Sequence, residues 1–247
     1  MATVRRPATR ARSAIFAPLG DEGRAVRVEN RLAEAIRSGV LTHGERLPSE
    51  PELAAMLGVA TVTAREALVA LRAQGLVTTT RGRGGGSFVT RPEPDGVVEL
   101  NSRLAAMSRV ELRDRGTLYG VILAGCAELA AERSDLSDVE GLRLLLVEPD
   151  EDDVAVWRHA DSELYLSLSA VTQSARMARE VVRLEADFGA LLRLPLSDDG
   201  FRAATHARHA ALVDAIERRD AAGARTCVRE HVSDALERLA DLHAAVS

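Results

Sequence analysis

Between Leu76 and Thr90 the apolar pattern of this chain leaves the helical period and adopts a period of two, and no other stretch makes that change convincingly. Leu76–Val77–Thr78–Thr79–Thr80 is β-branched and alternating, Arg81–Gly86 is a glycine-rich turn, and Ser87–Phe88–Val89–Thr90 is extended again. That combination predicts one β-hairpin. Everything else periodic in the chain has helical spacing, so the expected fold class is mainly α.

Three helices are predicted before the hairpin. From Arg24 to Ser38 the residues Val28, Leu32, Ala35 and Ile36 recur at helical intervals, and Gly39 stops the run. Ser49 is a suitable N-cap for a second, short helix, with Glu50 and Glu52 in its first turn, where the helix dipole favours negative charge. Gly58 ends it, and Thr61 to Ala73 reads as the third helix with Ala64, Ala67, Leu68 and Leu71 inward. Two prolines and an Asp-Gly pair mark Arg91–Gly96 as a linker. Beyond it, helices are predicted over Arg109–Arg133, Ser137–Val147 (capping-box spacing from Ser137 to Glu140), Val154–Val171, Ala175–Leu194, Asp199–Arg218 and Asp220–Ala245. The expected domains are a mobile basic arm over 1–23, a three-helix-plus-hairpin unit over 24–91, a linker over 92–98, and an all-helical bundle over 99–247.

Charge divides the chain at the same place. Residues 1–92 carry 14 arginines against 8 acidic residues, whereas residues 93–247 carry 18 against 29. A basic front suits a polyanionic partner and an acidic back does not. With aromatics at 3%, binding of single strands by stacking bases on rings is disfavoured. Two cysteines exclude a disulfide framework or a cysteine-rich zinc module, so a cytoplasmic setting is expected. The longest apolar run, Val121 to Ala127, has seven residues, too few to span a membrane, and no membrane partner is expected.

The front unit has the parts of a winged helix-turn-helix. A tight turn, Gly58–Val59–Ala60, separates its second and third helices, as needed to place one helix in a major groove while the other braces on the backbone. Thr61, Thr63 and Arg65 lie opposite the apolar face of the third helix, and Arg65 is the candidate for a guanine edge or a phosphate. The turn residues Arg81, Gly82, Arg83 and Gly84 let backbone approach phosphate or the minor groove between two guanidiniums. Ser49, at a helix N-terminus, can donate to a phosphate.

These residues also resemble a known family. The runs Gly44–Glu50, Glu52–Ala54, Leu57–Val59, Arg65–Leu68 and Gly75–Val77 look like the winged helix of GntR-type bacterial repressors over about 65 residues. The family usually has arginine where this chain has Pro51, and Ser-Arg where it has Ala60–Thr61. An all-helical domain behind such a unit resembles the FadR-like branch, whose FCD effector domain binds a small ligand and dimerises. In that branch many members hold a divalent metal with an Asp and a His four apart on one helix and two further His. The matching positions here are Asp161, Tyr165, His209 and His231, so the resemblance implies a zinc-like ion on Asp161, His209 and His231, with Tyr165 replacing the fourth ligand.

The spacing of the two histidines is compatible with that role. His209 lies about ten residues before the turn at Arg219–Asp220 and His231 eleven after it, so in an antiparallel hairpin they stand level within about one helical rise. The competing reading makes them bundle histidines satisfied by Asp161. His43, His159, His206 and His243 are expected at the surface. Anchored on Leu129–Arg133, the arginine that family members often use against a carboxylate falls at Tyr119, and Arg115 one turn earlier is its substitute. Arg115, Tyr119 and Tyr165 are therefore the expected effector-pocket residues, for a carboxylate or a less polar metabolite.

The expected function is ligand-controlled, sequence-specific regulation of transcription, as a homodimeric repressor on double-stranded operator DNA rather than an enzyme. A helical metalloenzyme with a DNA-binding tether is one alternative, but nucleophile-base pairs, HExxH and P-loop motifs are missing. An effector-independent DNA binder is another.

Overall fold

The computed structural model describes residues 15–16, 23–82, 85–90, 97–148 and 151–246. They fall into two compact units, Arg12–Pro94 and a second that contains Asp95–Ser247.

The first unit is built from α1 (Arg24–Ser38), α2 (Glu50–Leu57), α3 (Thr61–Ala73), β1 (Val77–Thr80) and β2 (Gly86–Val89). α1 buries Val28, Leu32, Ala35 and Ile36, the residues its spacing selected. Ser49 caps α2 by accepting from the Glu52 amide, and Glu52 returns a bond to the Ser49 amide, a complete capping box. Gly58, at φ 67°, turns the chain from α2 into α3, a left-handed conformation that favours glycine. The strands pair antiparallel from Val77 opposite Val89 to Thr80 opposite Gly86. Residues before α2 extend this hairpin: Arg46 bridges to Phe88, and the Leu47 amide donates to the Ser87 carbonyl. The wing therefore has a third edge that local periodicity does not reveal.

Most of the expected basic arm lies outside the described residues. Ile15 and Phe16 are described and buried, and the Ile15 carbonyl accepts from Arg31. These two residues are thus packed into the first unit, because their apolar surface is withdrawn from water.

The second unit contains α4 (Val97–Ala105), α5 (Arg109–Arg133), α6 (Leu136–Arg143), α7 (Val154–Val171), α8 (Ala175–Leu184), the short α9 (Ala190–Leu192), α10 (Asp199–Glu217) and α11 (Ala221–Val246). α4 occupies the end of the expected linker and the residues after it, burying Leu100 and Leu104; the expected linker's earlier part lies outside the described residues. α6 begins earlier than expected because Asp135, not Ser137, is its cap, with Asp138 completing the box. α8 and α9 divide the expected Ala175–Leu194 helix through one wide π turn, Glu185–Gly189.

α5 and α11 pack closely along the bundle axis. A Cβ on Gly116 would come within 2.4 Å of the Leu236 side chain, so a larger residue here would oblige Leu236 to shift. Cys126 of α5 is fully enclosed, and burial pushes its thiol up to about 12. The thiolate is the nucleophile, so Cys126 should resist maleimide at neutral pH until the chain unfolds. Mass spectrometry of native labelling should find modification at half-buried Cys227 alone; rapid native labelling of Cys126 would contradict this packing.

Candidate DNA-reading face and buried polar site

α3 presents two different faces. Ala64, Ala67, Leu68 and Leu71 are buried, while Thr61, Val62 and Arg65 are exposed and Thr63 is half-buried. The structure therefore leaves Thr61 and Arg65 available on one helix and partly shields Thr63. The Arg65 side chain is 62% exposed, and its Nε donates to Glu50 Oε2 at 2.8 Å. Val62 was not selected from the sequence, yet it is 56% exposed beside Arg65. An exposed aliphatic group on such a face can contact a thymine methyl.

Ser49 is exposed, but its hydroxyl donates to Glu52 Oε2 at 2.7 Å. A phosphate contact through that hydroxyl must compete with the capping box. Arg81 and Gly82 are exposed at the wing turn, whereas Arg83 and Gly84 lie outside the described residues. Arg46 supports this turn from behind, donating to the Gly85 carbonyl at 2.8 Å.

The second unit brings Asp161, His209 and His231 together. Asp161 comes from α7, His209 from α10 and His231 from α11, and all three are buried. His209 Nε2 and His231 Nε2 each lie 3.4 Å from Asp161 Oδ1. The two imidazoles face one another with centroids 5.0 Å apart, in agreement with their level positions along an antiparallel hairpin. Tyr165, one turn after Asp161, packs against both rings at 5.8 and 5.9 Å. Its buried hydroxyl has no hydrogen-bond partner among the described residues, nor has Thr205 Oγ1 one turn before His209.

Two charged residues missed from the sequence close this site. Buried Arg193 donates through Nε to Asp161 Oδ2 at 2.9 Å and through Nη2 to Glu185. Tyr119 donates its hydroxyl to the other Glu185 oxygen, so its phenol is committed to Glu185. The result is a continuous buried chain, Tyr119–Glu185–Arg193–Asp161. Arg115 stands elsewhere: its guanidinium is held by Glu111 at 2.7 Å and Asp187 at 2.6 Å, half exposed. A ligand meeting Arg115 would have to displace one or both of these carboxylates.

The electrostatics follow from these neighbours. Burial alone would raise the Asp161 carboxyl, but His209, His231 and the Arg193 charge together hold it well below its ordinary range. Glu185 moves the other way: burial raises it, and Arg193 with the Tyr119 bond only partly offsets that. The contrast reflects three favourable neighbours for Asp161 and two for Glu185. Burial also lowers His209, favouring its neutral, ligand-competent form despite Asp161. For Tyr165, burial and then the Asp161 charge push the phenol well up, so it remains protonated.

The remaining histidines divide. His159 is exposed as expected, but His206 is half-buried with Nδ1 2.9 Å from the Val147 carbonyl. His243 is buried rather than superficial, with Nε2 2.8 Å from the Met107 carbonyl, because α11 carries it onto the loop before α5. No single described helix is long and apolar enough to cross a membrane.

Both parts of the chain resemble known protein families. The family described as "Bacterial regulatory proteins, gntR family" matches residues 24–89, and the FCD domain family matches residues 117–234. RmpR of Mycobacterium gastri, named as an HTH-type transcriptional regulator, is 37% identical over 181 residues, covering 71% of this chain and 64% of RmpR. The chain thus matches just under two thirds of that relative's length. The HTH-type transcriptional repressor NanR of Citrobacter rodentium is 27% identical over 238 residues, covering 92% of this chain and 89% of NanR. Among solved structures, E. coli McbR/YncC shares the fold with a TM-score of 0.53 at 18% identity, covering 90% of this chain and 99% of that one.

Proposed function

The chain belongs to the gntR family of bacterial regulatory proteins, with an FCD domain behind its helix-turn-helix, and from that premise we propose that it is a cytoplasmic, homodimeric repressor. Its domains on this reading are the winged unit over 24–91, the connection over 92–98 and the effector and dimerisation unit over 99–247. The observation that carries the reading is the two-faced α3, which buries Ala64, Ala67, Leu68 and Leu71 and leaves Arg65 exposed. Arg65 reads a base edge, Thr61, Thr63 and Val62 line the same groove, and Ser49, Arg81, Gly82, Arg83 and Gly84 approach the backbone. Two copies are needed because two recognition helices meet half-sites about 34 Å apart. Enriching a random duplex library on the full-length chain tests this directly. The reading requires a palindromic sequence to emerge, with affinity that falls steeply as salt rises.

The buried site of the second unit fits a divalent metal ion. Two ligands about 2.1 Å from one ion and at the tetrahedral angle stand about 3.4 Å apart. Both imidazole-to-carboxylate separations are 3.4 Å, and Asp161 Oδ1 and His209 Nε2 have no hydrogen-bond partner among the described residues. Asp161, His209 and His231 would hold the ion, with Arg193 occupying the second Asp161 oxygen. Bound there, such an ion supplies open coordination positions to an effector oxygen. Tyr165 offers that effector a hydroxyl, while Arg193 and Arg115 are both engaged by carboxylates. This favours a less polar effector over a small organic acid. His209→Ala should remove bound zinc after dialysis, from about one ion per chain to none. Unchanged zinc content by elemental analysis would make His209 a bundle histidine only.

The effector acts by binding one arrangement of the dimer better than another, and in no other way can it shift DNA affinity.

A further inference from the structure

Arg65 does not stand alone on the exposed face of α3. The 2.8 Å bond from its Nε to Glu50 Oε2 joins the first turn of α2 to the second turn of α3 across 15 residues. Glu50 is not required to cap α2, because the reciprocal Ser49–Glu52 bonds already do so. At this exposure the ion pair contributes little to folding stability, since water screens it. Its larger consequence is geometric.

A guanidinium is a rigid planar fork. With Nε held by Glu50, an approach to guanine through Nε and one terminal nitrogen is closed. The end-on approach, Nη1 and Nη2 toward guanine O6 and N7, remains. Arg65 is also the sole cation on α2 and on the first two turns of α3, where Pro51 and Thr61 stand at positions that could have carried others. Readout of guanine by a cation on this face therefore depends on how one side chain is aimed.

We propose that Glu50 is the positioning residue that sets operator specificity: it fixes Arg65 in the end-on pose and places a negative charge beside the groove. That charge repels phosphate on every duplex. Only a duplex presenting guanine to Arg65 compensates for it, so Glu50 weakens indiscriminate binding more than operator binding. This assignment rests on the DNA-binding reading above and adds a residue that does not itself touch the base.

The test uses the full-length chain and a duplex enriched by it from a random library, with a scrambled duplex of equal length. Fluorescence anisotropy gives the affinity ratio for wild type, Glu50→Gln, Arg65→Ala and the double variant. Glu50→Gln should lower the ratio about threefold to fivefold, chiefly through tighter binding to the scrambled duplex. In the Arg65→Ala background the same change should leave the ratio unaltered. A merely structural role would weaken both duplexes together and lower the melting temperature without moving the ratio. An unchanged ratio in Glu50→Gln, or an equal change in both backgrounds, overturns the assignment while leaving the DNA-binding reading intact. Failure of the wild-type chain to enrich any sequence overturns that reading, and the assignment with it.

Discussion

Arg65→Ala should abolish most sequence preference while leaving the folded chain intact. A guanidinium seated end-on against guanine contributes about 1–3 kcal/mol of discrimination and the proposed dimer loses two, about 2–6 kcal/mol, so binding to the enriched duplex should fall roughly 30- to 25,000-fold. Binding to a scrambled duplex should change far less. The melting temperature should hardly move, because the side chain is 62% exposed and its ion pair with Glu50 lies at the surface. Arg81→Ala, at the wing turn, provides the contrast. If Arg81 meets phosphate, its loss from both protomers should weaken every duplex alike and reduce the salt slope by about two. Equal losses on both duplexes for Arg65→Ala would place that residue on phosphate as well, and another group would have to read the bases.

Arg193→Met should destabilise the second unit far more than the loss of any of its surface ion pairs. The substitution leaves Asp161 and Glu185 buried without their shared counter-charge. Breaking a buried ion pair by removing one partner costs about 3–5 kcal/mol, far more than the intact pair contributes over an apolar substitute. For a unit of this size that corresponds to a fall of roughly 6–20 °C in melting temperature. Arg193→Lys should recover only part of it, because one ammonium cannot reproduce bonds made separately by Nε and Nη2. Arg143 is the control. It pairs with Asp214 and Glu217 at similar distances but lies 44% exposed, so Arg143→Met should cost under about 1 kcal/mol. Comparable denaturation curves for the two variants would mean that water reaches the Arg193 network.

The two sites differ in how far local sequence could reveal them. α5 and α7 have the bounds their patterns predict because Ser108 and Asp153 cap helices with long, regular contents. α3 was equally legible, its buried face following the helical period without interruption. Contacts between distant segments were not. The Arg46–Phe88 bridge and the Glu50–Arg65 bond join stretches whose local patterns carry no record of each other. The wide turn at Glu185–Gly189 was hidden for a related reason, since its spacing is set by packing around buried Glu185.

Glu185 did leave a signal. It continues the inward series Ala178, Val181 and Val182 at helical spacing, so a carboxylate occupies a position where the pattern calls for an apolar residue. Arg193 likewise sits within the apolar stretch Leu191–Leu196. Charged residues placed where a core is expected must find partners, and these two found each other. Asp161 and the two histidines came to notice through family resemblance and level spacing; the buried arginine beside them did not, because the resemblance directs attention to Tyr119 and Arg115 instead.

The most direct measurement is the affinity of the full-length chain for its enriched duplex and for a scrambled one, across a range of salt concentrations. The proposed repressor binds the enriched duplex roughly a thousandfold or more tightly than the scrambled one, and both affinities fall steeply with added salt. Equal affinity for the two at every salt concentration would contradict it.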